Sequence, residues 1–214
     1  MKKVLKSHPY GASYLATKRS QRTIQSQQKL RIIGGKWRSR LIPFPSAQGL
    51  RPTGDRIRET VFNWLAPTIE GARCLDLFAG SGALCFESLS RGAAHCTALE
   101  IQGAAVRLLR DNASALEAFD LTVVQTDSLH YLENNGVEHR YDLVFIDPPF
   151  DTPLLSSSCA LLSSGKWLAV NAKIYCELSA KDNSFAPPPN WQLLREKISG
   201  GVRYCLFSYV EPSA

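Results

Sequence analysis

From residue 72 onward, short apolar runs alternate with stretches of helical periodicity, and few folds accommodate that pattern. β-prone runs bounded by turn residues fall near 73–77, 94–99, 121–126, 142–147, 168–177, 191–198 and 203–210. Helical patterns lie between most of them, near 82–91, 102–117, 127–134 and 153–162. The alternation predicts an α/β fold with a seven-stranded, largely parallel sheet covered on both faces. Only "SGG" at 199–201 separates the last two runs, so these are expected to pair antiparallel as a hairpin. "APPPN" at 186–190 reads as a rigid loop, and there is no internal repeat or separate C-terminal domain.

Charge divides the chain where the pattern does. Residues 1–58 carry fourteen Lys/Arg and one acid, Asp55, whereas residues 59–214 carry eleven Lys/Arg and eighteen acids. A basic arm on a mildly acidic body is the footprint of a nucleic-acid binder. A solubilising or targeting tail would also be basic, but here the cations continue through Arg31, Lys36, Arg38, Arg40, Arg51, Arg56 and Arg58, inside apparent structure. Residues 1–28 are polar and aperiodic and are expected to form a mobile arm. Residues 29–66 form an extension: "LRIIGGKWRSRLIPF" sets Gly34-Gly35 between two β-prone runs, as in a hairpin. "RPTGDRIRETVFNWL" then offers Thr53 as a helix N-cap, with Ile57, Val61, Trp64 and Leu65 on one face and Pro67 at the end. Residues 67–214 form the main domain. Trp64 is expected in the core, and Trp37 either in the core or against a base.

The six cysteines form no CxxC pair and sit mostly in apolar runs, as buried reduced thiols do. The four histidines lack metal-ligand spacing, so no metal is expected. No apolar run reaches the roughly 18 residues of a membrane span, and the N-terminus lacks a secretory apolar region. An intracellular, cytoplasmic protein is the expectation, with a monomer as default.

"CLDLFAGSGALCFES" is a strand, a glycine turn and a helix start. Gly80 and Gly82 allow the backbone to bend sharply and approach a ligand. The dinucleotide fingerprint would need glycine at position 85, where Cys85 stands, and this disfavours NAD. Asp76, Glu100 and Asp127 lie at or near the carboxyl ends of three successive strands, the edge where open α/β sheets bind ligands. Glu100 is placed to hold ribose hydroxyls, and Asp127 with Ser128 to address an adenine amino group. An adenosine bearing a sulfonium suits this acidic edge better than a pyrophosphate.

In order, "DLFAGSG", "LE" at 99–100, "TDS" at 126–128 and "DPPF" at 147–150 resemble the motifs of S-adenosylmethionine-dependent amino-methyltransferases. Upstream, "RIIGGKWRSRLIPFPSAQGLRPTGDRIRETVFNWL" looks very like the N-terminal signature of the bacterial RsmD family, and the likeness extends to the closing "GGVRYCLFSY". The resemblance implies a Rossmann-like class I methyltransferase fold. It implies transfer of a methyl group from S-adenosylmethionine to the exocyclic N2 of one guanine in small-subunit ribosomal RNA. It nominates Asp76, Phe78, Ala79, Gly80, Ser81, Gly82, Glu100, Asp127 and Ser128 for the cofactor. It also nominates Arg51, Thr53 and Arg56, from a segment that folds over the methionine end. Where family members often read Thr-Thr-Asp, this chain has Thr53-Gly54-Asp55.

An exocyclic amine on a base is a poor nucleophile because its lone pair is delocalised into the ring. The "DPPF" loop answers that chemistry: the Asp147 carboxylate and the Pro148 carbonyl are the two expected acceptors for the amine hydrogens. Pro148 and Pro149 fix the backbone, and Phe150 stacks on the base. The base must be flipped or already splayed out, with RNA phosphates held by Lys36, Arg38 and Arg40. Two rivals remain, an adenine-N6 DNA methyltransferase with a similar loop and a non-catalytic RNA-binding module on the same fold. The N-terminal signature and lack of a recognition domain argue against the first, and the intact acids and glycines against the second.

Overall fold

The apolar runs become strands, and in the inner ones side chains alternate between two buried faces. The computed structural model describes residues 28–44, 54–136, 139–150, 152–164 and 167–211. The chain runs β1 (Gln28–Arg31), β2 (Leu41–Phe44), α1 (Asp55–Leu65), β3 (Arg73–Asp76), α2 (Ala83–Ser90), β4 (His95–Glu100) and α3 (Gly103–Leu116). It continues through β5 (Leu121–Gln125), α4 (Ser128–Asn134), β6 (Tyr141–Ile146), α5 (Leu154–Ser164), β7 (Leu168–Ser179), β8 (Trp191–Ser199) and β9 (Val202–Tyr209). The mobile-arm expectation for residues 1–28 lies outside the described residues, save that Gln28 opens β1.

Strands β3 to β9 form one sheet in the order β5-β4-β3-β6-β7-β9-β8. The first five in that order are parallel, whereas β9 is antiparallel to both β7 and β8. The expected terminal hairpin forms, with Gly200 and Gly201 at φ +60° and +83°. Those angles let a two-residue turn follow the twist of the strands. Consecutive strands run outward from β3 through β4 to β5, and the chain then returns to β6 on the other side of β3. The sheet therefore has a switch point between β3 and β6, the place at whose carboxyl edge open α/β sheets bind their ligands.

The inner parallel strands are buried on both faces, whereas the edge strand β5 has no fully buried residue. Cys74, Cys96, Ala98, Phe145, Tyr175 and Tyr204 share one core with α1, α2, α3 and the β1–β2 extension. Leu75, Leu77, Leu99, Val144, Ile146 and Ile174 enter the other core, with Leu132 of α4 and Leu155, Cys159 and Leu162 of α5. All eight residues of α2 are buried, which accounts for a sequence, "ALCFESLS", that is apolar nearly all round. The six cysteines are free and buried, as expected. Burial pushes the Cys74 and Cys205 thiols up to about 12.

The extension differs from a tight glycine hairpin. β1 and β2 pair antiparallel, but residues 32–40 join them through a single 3-10 turn at Gly35–Trp37. Gly34 and Gly35 are needed for close approach. A Cβ on Gly35 would lie 1.7 Å from the Ser90 carbonyl oxygen, and one on Gly34 would lie 2.6 Å from the Arg91 guanidinium. Trp37 is buried, so it belongs to the core, and Trp64 stacks on Tyr204 with centroids 5.4 Å apart. Thr53 lies outside the described residues; Gly54 occupies the N-cap position of α1 and supplies no side-chain cap.

What fastens this extension is Glu87, wholly buried in α2. Its carboxylate accepts the N–H groups of Ile33 and Gly34, both at 2.8 Å, and the Arg91 Nε–H at 2.7 Å. Arg58 of α1, equally buried, approaches it at 3.4 Å and donates to the Arg31 carbonyl at 2.9 Å. Ser90 receives the Trp37 N–H at 3.0 Å and donates to the Gly34 carbonyl. Helix α1 crosses the same face of the sheet, with Phe62 6.0 Å from Phe145 and Trp64 on Tyr204. Glu87→Ala leaves the Ile33 and Gly34 N–H groups and the Arg91 Nε–H without their acceptor, while Arg58 keeps Asp55 at 2.6 Å and the Arg31 carbonyl, and is expected to cost about 3–5 kcal/mol in urea unfolding. A loss below about 1 kcal/mol would show that this network does not hold the extension in place.

Candidate active site

The four acids at the carboxyl edge reach one face by register alone. Asp76 pairs laterally with Ala98 and Phe145, and Phe145 with Tyr175. Glu100 lies two residues beyond Ala98, Asp147 two beyond Phe145, and Glu177 two beyond Tyr175, so period-2 alternation sends all four toward the α1–α2–α3 face. Asp127 follows β5 beside them.

The chain leaving β3 is held from both sides, with Leu77 N–H donating to the Phe145 carbonyl at 3.1 Å and Ala79 N–H to the Leu99 carbonyl at 2.9 Å. Phe78 is half-buried and Ala79, Ser81 and Gly82 are buried. The loop turns through Gly80 and Gly82, at φ +51° and +82°. A Cβ at Gly82 would meet the Phe86 ring at 2.6 Å and Leu109 at 2.7 Å, so glycine is required by conformation and by space. Glu100 sets the loop, accepting the Gly80 N–H at 2.8 Å and, through its other oxygen, the Gln102 N–H at 2.7 Å. Each oxygen keeps a second lone pair for a ligand hydroxyl.

Asp76 is 1% exposed. Burial pushes its carboxyl up to about 7, and the Glu100 charge adds to the rise, against the N–H groups of Phe78 and Cys85 that favour the anion. The Cys85 contact offers a partner to the first turn of α2, whose N-cap glycine has none. Asp76 Oδ1 has no hydrogen-bond partner among the described residues. A buried carboxylate oxygen without a donor, beside a second carboxylate, fits a cationic ligand such as a sulfonium or an ammonium.

Asp127 is the exposed N-cap of α4, accepting the His130 N–H at 2.9 Å. The Ser128 hydroxyl is buried and donates to the Leu77 carbonyl, so it ties α4 to the end of β3. Asp147 is half-buried, Pro148 buried, and Pro149 and Phe150 exposed, with the Pro149 carbonyl accepting from Thr152 at 2.8 Å. Behind this loop the Tyr175 hydroxyl donates to Glu177 at 2.7 Å. Tyr175 is raised well above its ordinary value by burial first, then by Glu177, with Asp147 contributing.

Three side chains at this edge escaped the sequence reading. Tyr175 and Glu177 sit inside an apolar strand, where the lone acid of "KIYCELS" was the available signal. Ile101, next to Glu100 at the carboxyl end of β4, is 62% exposed, an apolar face beside the expected ribose acid.

Arg56 is exposed in the first turn of α1, while Arg51 and Thr53 lie outside the described residues. Lys36, Arg38 and Arg40 are exposed in the β1–β2 connection. Lys36 lies 4.3 Å over the Trp37 ring, and Arg40 donates to the Ala115 carbonyl at 3.3 Å. Because α2 and α3 start at the glycine-loop edge and end at this connection, these cations stand about 12 Å from that edge along α2 and about 18 Å along α3. Among the described residues no His/Cys/Asp/Glu group could hold a metal ion, and no helix is long and apolar enough to cross a membrane.

Residues 30–208 match the family model described as conserved hypothetical protein 95. Ribosomal RNA small subunit methyltransferase D of Escherichia coli (strain K12) is 47% identical over 179 residues, 84% of this chain and 89% of that protein. The Haemophilus influenzae protein of the same name is 43% identical over 187 residues, 86% of this chain and 96% of its own length. The solved structure of yhhF from Escherichia coli superposes with a TM-score of 0.78 at 45% identity, covering 86% of this chain and 99% of that one. The match spans extension, glycine loop, edge acids and terminal hairpin alike, and the chain belongs to the RsmD family of methyltransferases.

Proposed function

We propose that this protein transfers a methyl group from S-adenosylmethionine to the exocyclic N2 of a guanine in small-subunit ribosomal RNA. One observation carries the reading: the Asp147–Phe150 loop leaves β6 at the switch point, next to the buried, partnerless oxygen of Asp76 at the end of β3. The relatives named as methyltransferases of small-subunit ribosomal RNA support the substrate class. The same reading makes residues 29–66 a substrate-facing extension of a methyltransferase domain at 67–214, working in the cytoplasm as a monomer.

The cofactor supplies a methyl group on a cationic sulfur, and the chain supplies everything that positions and polarises. Glu100 and Asp127 would hold the nucleoside, with Ile101 as an apolar contact. Asp76 and Gly80–Gly82 would receive the methionine part, helped by Arg51, Thr53 and Arg56. Asp147 accepts one N–H of the guanine amine and the Pro148 carbonyl accepts the other, which draws the nitrogen toward the tetrahedral geometry of a nucleophile. As nitrogen becomes cationic, Asp147 stabilises the charge without reorganising, since Pro148 and Pro149 fix the loop. The proton then leaves nitrogen for Asp147 and passes to water. Phe150, 39% exposed, offers the splayed base a stacking surface.

Asp147→Ala is expected to lower methyl transfer by at least about 10³-fold while cofactor affinity stays within about threefold. The check is labelled S-adenosylmethionine with undermethylated small-subunit particles and mass spectrometry of the nucleosides. Wild-type turnover in this variant would remove Asp147 from the mechanism, and methylated adenine in duplex DNA would replace guanine as the substrate.

Asp76 gives the cofactor site a pH dependence with a definite sign. Its folded-state value, about 7, lies above the ordinary 3.8, so the carboxylate ionises as pH rises through 7. Affinity for a cationic ligand is therefore expected to rise roughly tenfold between pH 6 and 8 in calorimetric titration. Asp76→Asn, which keeps an acceptor for the Phe78 and Cys85 N–H groups, flattens that rise. An equal slope in both proteins would place the titrating group elsewhere.

A further inference from the structure

The carboxyl edge is electrostatically two-sided. On β3, β4 and β5 it carries Asp76, Glu100 and Asp127. Beyond β6 exposed cations join the acids. β7 is parallel to β6, so Ser179 ends at the same edge as Asp147, and Ser179 and Ser199 both pair with Val202. The Gly200–Gly201 turn therefore stands on the catalytic edge, fastened by the Ala180 N–H to the Gly201 carbonyl at 2.9 Å. No atom lies within 4 Å of where a Cβ would stand on either glycine, so the tip projects into open space. Lys181, Lys197 and Arg203 gather here.

Their partners differ. Arg203 is committed to the fold, 3.8 Å from Glu196 and donating to the Asp182 carbonyl. Lys181 and Lys197 are exposed, and neither ammonium has a hydrogen bond or ion pair among the described residues. Lys197 pairs laterally with Tyr204, and Tyr204 with Glu177, so Lys197 shares the face and level of Asp147 three strand spacings away. That is about 14 Å. The acids on this flank are spoken for: Glu177 is buried under Tyr175, Asp182 accepts from Ser184, and Glu196 faces Arg203 and Cys205. Residues 59–214 carry more acids than bases, so two free cations at this edge are not a product of composition.

We propose that Lys181 and Lys197 hold the phosphate backbone of the substrate RNA on the side of the site away from the glycine loop. The inference rests on the reading of RNA as substrate. Lys36, Arg38 and Arg40 end at the opposite edge and take phosphates farther from the target base. The two clusters thus engage different stretches of one strand, and the edge pair sets the base's approach to Asp147.

The experiment is a titration of fluorescent small-subunit RNA containing the acceptor guanine, across about 50–300 mM KCl, with wild type, the double variant Lys181→Ala/Lys197→Ala and the control Arg140→Ala. Arg140 is an exposed cation at the amino edge, paired with Glu211. Loss of two phosphate contacts makes the log–log salt dependence shallower by roughly 1.4 and weakens binding roughly tenfold or more, with cofactor affinity unchanged. Both substituted side chains are exposed, so matching thermal melts are expected. An unchanged slope in the double variant, or an equal loss per charge in Arg140→Ala, overturns the proposal. Methyl transfer by the wild type, followed in parallel by mass spectrometry, tests the guanine assignment separately, because binding alone decides the slope.

Discussion

A single buried carboxylate organises the N-terminal third of the described chain. Glu87 is placed in the middle of a helix with no exposed face, where an unpaired charge would be intolerable, so the residues around it must supply donors. Two come from the main chain at Ile33 and Gly34, and two from the guanidinium groups of Arg58 and Arg91. These donors belong to the β1–β2 connection, α1 and α2, and only one mutual placement of those elements satisfies them together. An apolar residue at 87 would allow the extension to slide over α2. A carboxylate fixes its register, and with it the crossing of α1 over Phe145 and Tyr204 immediately behind the Asp147 loop.

The other half of the architecture follows from strand direction. In a parallel sheet every strand presents its carboxyl end to one edge, so acids that are far apart in the chain converge without any contact between them. Period-2 alternation then selects the face, and Asp76, Glu100, Asp147 and Glu177 arrive together. The antiparallel β9 interrupts this series and brings a turn, with its cations, to the edge that β7 leaves. The appearance of exposed cations on this flank of the edge is thus a consequence of topology as much as of sequence.

Much of this was legible in the residues, for identifiable reasons. The strand and helix boundaries of the main domain fall within one or two residues of expectation because each short apolar run is closed by Gly, Pro or a polar turn. The glycine loop and the strand-end acids were legible because their chemistry depends on position along a strand, which periodicity reports. The Gly34-Gly35 pair was read as a tight turn, but those glycines serve contact with Ser90 and Arg91, residues more than 50 positions away. Sequence patterning carries no signal for such an approach. Glu87 and Glu177 were passed over for a related reason: a lone acid in an apolar run looks like a surface interruption until tertiary packing shows what it faces. Arg58 looked like one more cation of the basic arm and proved to be fully buried.

The charge division at the edge also bears on turnover. Burial and then the Glu100 charge disfavour the Asp76 carboxylate, an arrangement that a bound cation relieves. On the proposed reaction the cofactor arrives with a positive sulfur and departs as a neutral thioether. The two carboxylates therefore favour reactant over product by the electrostatic energy of one charge in a partly desolvated site, and the end of the reaction removes the reason for binding. On the RNA side no such change occurs: the phosphates keep their charge, and methylation of a neutral amine followed by proton loss leaves the base neutral. Release of cofactor product is thereby driven by chemistry, whereas release of RNA depends on counterions returning to the strand. A site that must let go of one product by charge and the other by salt has good reason to hold them on opposite flanks of Asp147.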